Sequence, residues 1–202
     1  MSKGLRAMRR LSTELVRNLP SRIDDEEIIP AVGNALSRVR GRPVRVRRAA
    51  FPPATASGVW IDRSSHDLIV YEENTDPEHQ LVIIGHEAWH MFQGHGRDSR
   101  APNGAASRAA DPEAARALEA FITALSEATD TDLTPLQNMD IGLHFAARTD
   151  ECDVHEELEA ERFGFRFATD VRLALDEARA AGDPRHLTGR IEATMAHRFR
   201  RT

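Results

Sequence analysis

Residues 86–90 read His86, Glu87, Ala88, Trp89, His90, and they fall inside a stretch from Pro77 to about Gly94 with helical patterning. Leu81, Val82, Ile84, Ala88, Trp89 and Phe92 recur there at helical spacing. Side chains four residues apart share one face of an α-helix, so the imidazoles at 86 and 90 can point at a single cation. That demand constrains the chain beyond the helix itself, because another segment must bring a further ligand to the same face. Zinc takes neutral imidazole nitrogens in tetrahedral geometry, and a catalytic zinc keeps three protein ligands and one open position. Glu87, between the histidines, is placed to take a proton from water held at such a cation.

The extended metzincin form of the motif places a glycine and a third histidine at positions that here carry Gln93 and Gly96. That form is excluded, and His95 falls one position early. A carboxylate from a later helix is the common alternative, and the segment from His155 to Phe163 offers several. Ala160 and Phe163 make an apolar face bordered by Glu159, the expected third ligand. Glu156, three residues earlier, is the alternative, and His155 stands four before Glu159 as a supporting or competing group.

Around this motif the chain reads as α+β. Helical spacing covers residues 3–18, a stretch starting near Glu27 and stopped by Gly41, residues 77–94, about 111–128, 135–147, 153–180 and 183–200. Strands are expected at 43–49, 58–62 and 68–72, with the last two joined as a hairpin. No crossover helix separates them, so a small, mostly antiparallel sheet is expected. One domain spans 1–202: N-terminal helices over 1–42, sheet and motif helix over 43–95, and a helical part over 111–202 carrying the third ligand.

Composition narrows the function. The net charge is −5, which argues against general nucleic-acid binding. The charge is uneven: residues 1–60 hold 12 basic and 5 acidic side chains, the remainder 15 and 27. Of the 27 basic residues only Lys3 is lysine, a bias that fits GC-rich coding and leaves most arginines without need of a functional account. Arg38, Arg40, Arg42, Arg45, Arg47 and Arg48 nonetheless form a dense run, read as a solvated strand and helix end in preference to a binding patch. The single cysteine, Cys152, excludes an internal disulfide framework and any multi-cysteine metal site. The first 16 residues lack an apolar signal core, and no apolar run is long enough to cross a membrane, so a cytoplasmic protein is expected. Phosphate-binding glycine loops and a serine-hydrolase elbow are absent from the sequence.

The stretch HQLVIIGHEAWHMFQGHG, followed downstream by ELEAERFGF, resembles the ImmA/IrrE family of metallopeptidases. GVWID and LIVYEEN ahead of the helix fit that family, and RRLSTELVRNL with VRGRPVRVR is similar to its actinobacterial, toxin-component branch. The resemblance is best over residues 36–95 and 151–168. It implies a zincin-like fold, Zn2+ on His86, His90 and Glu159, and Glu87 as the catalytic acid and base. It further implies cleavage or inactivation of a regulatory protein, such as a helix-turn-helix repressor or antitoxin. Tyr71 and His144 are candidate oxyanion donors. The stretch 96–151 is longer than the family's connection, and the segment after Phe163 lacks its apolar-proline ending. The competing expectation is a regulatory, partner-binding module on the same scaffold without turnover. Hydrolysis of a small-molecule amide is a third.

Overall fold

The computed structural model describes residues 3–20, 23–94, 112–129, 142–143 and 151–182. Helix α1 (Lys3–Arg17) is followed by a single 3-10 turn at Asp25–Glu27 and α2 (Ile28–Arg40). Strands β1 (Val44–Ala49), β2 (Gly58–Asp62) and β3 (Asp67–Glu72) lead into α3 (Pro77–Gln93). Helix α4 (Pro112–Thr129), a two-residue strand β4 (Gly142–Leu143) and the long α5 (Glu151–Gly182) complete the described elements. The expected helix over 183–200 lies outside the described residues.

Local chemistry accounts for several boundaries. The acidic turn at Asp25–Glu27 precedes α2, so Pro30 falls in the first turn of that helix, where its missing N–H costs nothing. Gly41 closes α2 at φ +75°, a left-handed cap that favours glycine. Asp76 caps α3, its side chain accepting from His79 N at 3.0 Å, with Pro77 at the first helical position.

The sheet is mixed, with order β1-β3-β2-β4. The β2–β3 and β2–β4 pairs are antiparallel, and β1 runs parallel to β3. This refines the expected small, mostly antiparallel sheet. The connection 50–57 carries the chain past the place that β3 will fill, so β2 returns as the outer strand of the hairpin and no crossover helix is needed. Of the helix expected over 135–147 only 142–143 lie among the described residues, and there the chain is strand, with Gly142 and Leu143 bridging Asp62 and Ile61 at the sheet edge. Glycine is a poor helix former, which favours that outcome.

Both faces of β2 and β3 are covered, and both strands read as continuous apolar runs accordingly. One face, with Val44, Trp60, Ile69 and Tyr71, packs against Met8, Leu36, Ile84, Trp89, Phe163 and Phe167 of the helices. The other, with Val59, Ile61, Leu68 and Val70, packs against Leu118 and Ile122 of α4 and against Phe51. Among the described residues no helix is long and apolar enough to cross a membrane.

Two of the six arginines of the run, Arg40 and Arg42, have a structural explanation. Asp67, fully buried, accepts from Arg40 Nε at 3.0 Å and Trp60 Nε1 at 3.0 Å, with Arg42 Nε at 3.5 Å. Arg42 also reaches Asp62 at 3.0 Å, and the Arg40 guanidinium lies 5.9 Å from the centre of the Phe92 ring. A buried carboxylate is stable only with such partners.

Candidate metal centre

Helix α3 presents its histidines where α5 crosses it. The two helices run antiparallel, as three levels show: Glu78 pairs with Arg172 at 2.5 Å, Gly85 lies against Gly164, and His90 lies beside Glu157. The middle level sets the approach. A Cβ on Gly85 would stand 3.0 Å from the Gly164 Cα, and one on Gly164 would stand 2.6 Å from the Val82 carbonyl and 3.3 Å from the His86 amide. Two glycines thus let the backbones come close. Trp89 stacks on Phe163 with ring centroids 5.0 Å apart beside this contact.

That packing brings together His86, His90 and Glu157, whose ligand atoms lie within 4.8 Å of one another. His86 Nε2 and His90 Nε2 are 3.1 Å apart. Glu157 offers one oxygen to each, Oε2 at 3.5 Å from His86 and Oε1 at 3.4 Å from His90. Ligands about 2.0–2.1 Å from a tetrahedral zinc are separated by about 3.3–3.4 Å, close to the spacing of the two imidazole nitrogens and of each imidazole from its nearer Glu157 oxygen. The donor set, two imidazoles and one carboxylate, is that of a site that leaves a position open. His90 is buried and His86 partly so, which lowers the competition from bulk water without sealing the site.

The carboxylate that the structure brings to the two histidines is Glu157, not the expected Glu159. Two residues along an α-helix amount to a rotation of about 200°. Glu157 lies on the stripe with Ala160, Gly164, Phe167 and Val171, which faces α3 and the core. Glu159 lies on the stripe that faces α1. Its carboxylate packs against Gly4, in the first turn of α1, where the helix dipole favours a negative charge. Its Oε1 is 3.5 Å from His155 Nε2, and farther along that stripe Ser12 Oγ donates to Asp170 Oδ2 at 2.6 Å. Glu156, the other expected alternative, is half-buried and stands outside the cluster. A longer register held the signal. Stepping back from Phe167 and Gly164 through Ala160 leads to 157, whereas Ala160 and Phe163 alone left the rotation undecided.

Glu87 is buried and turned toward the start of β2. A Cβ on Gly58 would lie 3.0 Å from Glu87 Oε1, 3.1 Å from its Cγ and 2.5 Å from Ile83 Cγ2. The acid therefore occupies room that only a glycine leaves. The approach to Gly58 is braced from Glu72, whose carboxylate accepts from Phe51 N and Asn74 N, each at 2.8 Å. Burial pushes the Glu72 pKa up, but these hydrogen bonds outweigh it and hold the group below its ordinary value.

Tyr71 pairs with Gly58 across the β2–β3 ladder and is buried in the core. Burial raises its pKa, with Arg48 and Glu73 the charges that act on its hydroxyl. His144 lies outside the described residues. Comparison with protein-family models, curated proteins and solved structures finds no match to this chain.

Proposed function

We propose that the chain is a zinc-dependent metallopeptidase of zincin-like architecture, acting in the cytoplasm on a regulatory protein of the repressor or antitoxin type. The observation that carries the proposal is the meeting of His86, His90 and Glu157 at zinc-ligand spacing, with Glu87 on the next helical position. The substrate class rests on the resemblance of the motif segments to the ImmA/IrrE family. His86, His90 and Glu157 would hold a zinc ion, which would supply Lewis acidity to a peptide carbonyl and to water near pH 7. Glu87 takes the proton of the attacking water on a carboxylate oxygen and passes it to the departing amine. Three protein ligands favour a catalytic site over a structural one, which is ordinarily closed by four.

The test couples metal content to turnover. Wild-type chain should carry about one zinc per molecule by elemental analysis, and Glu87→Gln should keep it while losing cleavage of a helix-turn-helix repressor substrate. A chain that carries no zinc when prepared without chelator would end the proposal. A repressor complex that forms equally with wild type and Glu87→Gln, with no cleavage product, would replace it by the partner-binding reading.

A further inference from the structure

Of the four arginines of the run not held by Asp62 or Asp67, Arg38 belongs to α2, and Arg45, Arg47 and Arg48 lie on β1, an outer strand of the sheet. Its ladder with β3 fixes which backbone groups face outward. Asp67 N donates to Pro43 O at 2.9 Å and Glu73 N to Ala49 O at 3.0 Å, in a parallel register from Val44↔Asp67 to Ala49↔Glu72. Bonding residues alternate along such a ladder. Arg45, Arg47 and Ala49 therefore turn their N–H and C=O groups to β3, while Val44, Val46 and Arg48 turn theirs away. Val44 is held locally: its N–H donates to Ser37 Oγ at 2.9 Å, and the single proton of that hydroxyl is shared between Gly33 O at 2.8 Å and Val44 O at 3.2 Å. The N–H and C=O of Val46 and Arg48 are left along an edge that no strand pairs among the described residues.

Charge lies on either side of that edge. Val46 packs toward Gly33 of α2, so Arg45 and Arg47 stand on the opposite sheet face, about 7 Å apart. Arg48 stands on the α2 side. All three are exposed, and none is ion-paired with an acidic side chain among the described residues. Self-pairing of this edge would set arginines against arginines, which is unfavourable. The outward amides and carbonyls match a peptide backbone and not a phosphodiester.

We propose that the β1 edge takes up an acidic, extended polypeptide segment as an added strand, with carboxylates at alternate positions opposite Arg45 and Arg47. The edge is separate from the metal centre, so this surface works whether or not the centre cleaves. The probe is a fluorescein-labelled ten-residue peptide of alternating Glu and Thr, followed by anisotropy. It should bind the full chain, weaken as salt rises, and bind equally with zinc or with chelator present. A Gln-Thr peptide of the same length should not bind. Arg45→Glu combined with Arg47→Glu should weaken binding about tenfold or more. Val46→Pro removes one outward N–H while keeping every charge, at the kind of edge position that tolerates proline, and it should weaken binding comparably. Val46→Pro binding like wild type, the Gln-Thr peptide binding equally, or a ten-nucleotide single-stranded DNA displacing the peptide would each overturn the proposal. The arginines would then be a solvated guard of a sheet edge, or a nucleic-acid contact.

Discussion

At the scale of single residues, the candidate metal centre turns on two carboxylates two positions apart. Glu157 and Glu159 share composition, helix and neighbourhood, yet one faces the histidines and the other faces Gly4. Substituting them separately is the sharpest check on the geometry. Glu157→Gln should lower zinc affinity by about 100-fold or more, since even groups that merely support a ligand are worth about 10- to 100-fold. Glu159→Gln should leave affinity close to wild type and cost only a fraction of a kcal/mol at the start of α1, about 0.3–1 kcal/mol. Competition with a chromophoric chelator measures both. Equal loss of zinc in the two variants would show that α5 is rotated from the arrangement described. The two histidines were legible in the sequence because their spacing is fixed within one helix. The carboxylate was not, because its rotation about α5 is fixed by what α5 packs against.

At the scale of elements, the α3–α5 crossing holds the centre together. Gly85 and Gly164 permit the close approach that brings Glu157 to the histidines, about two turns from Gly164 along α5. Gly164→Ala tests this. In an exposed helix alanine would be worth about 1 kcal/mol more than glycine. Here the new methyl would stand 2.6 Å from the Val82 carbonyl, a backbone atom with little freedom to move. Overpacking typically costs about 1–3 kcal/mol, so after the alanine gain the variant should lose up to about 2 kcal/mol net. It should also bind zinc more weakly, because α5 must retreat. Urea unfolding and chelator competition read the two effects, and a stabilised variant with unchanged zinc affinity would refute the crossing. Apolar periodicity had marked α1, α2, α3, α4 and α5 and the three main strands. What periodicity lacks is pairing information, so the parallel β1–β3 ladder and the β4 bridge at Gly142 were beyond it.

At the scale of the whole molecule, the central strands β2 and β3 of a mixed sheet are buried on both faces, and Asp67 ties the layers together. That side chain is fully buried and meets Arg40 of α2, Arg42 of the following turn and Trp60 of β2. Asp67→Ala would leave two guanidinium groups and an indole N–H without their shared acceptor. Breaking a buried charged network by removing one partner costs about 3–5 kcal/mol; both arginines retain some solvent contact, so about 3 kcal/mol is expected. Thermal unfolding checks this, and a loss below about 1 kcal/mol would mean the network contributes little. Five of the six arginines of the run thus separate into a buried tie, Arg40 and Arg42, and an exposed edge, Arg45, Arg47 and Arg48. The sequence by itself determined whatever depends on near neighbours along the chain: the helix capped by Asp76 and Pro77, the histidine pair one turn apart, the acidic start before α2. Only the tertiary structure decided which carboxylate completes the triangle, which arginines are consumed by Asp67, and which strand lies at the edge. Those outcomes depend on helix rotation and strand order, and both are set by packing between segments far apart in the chain.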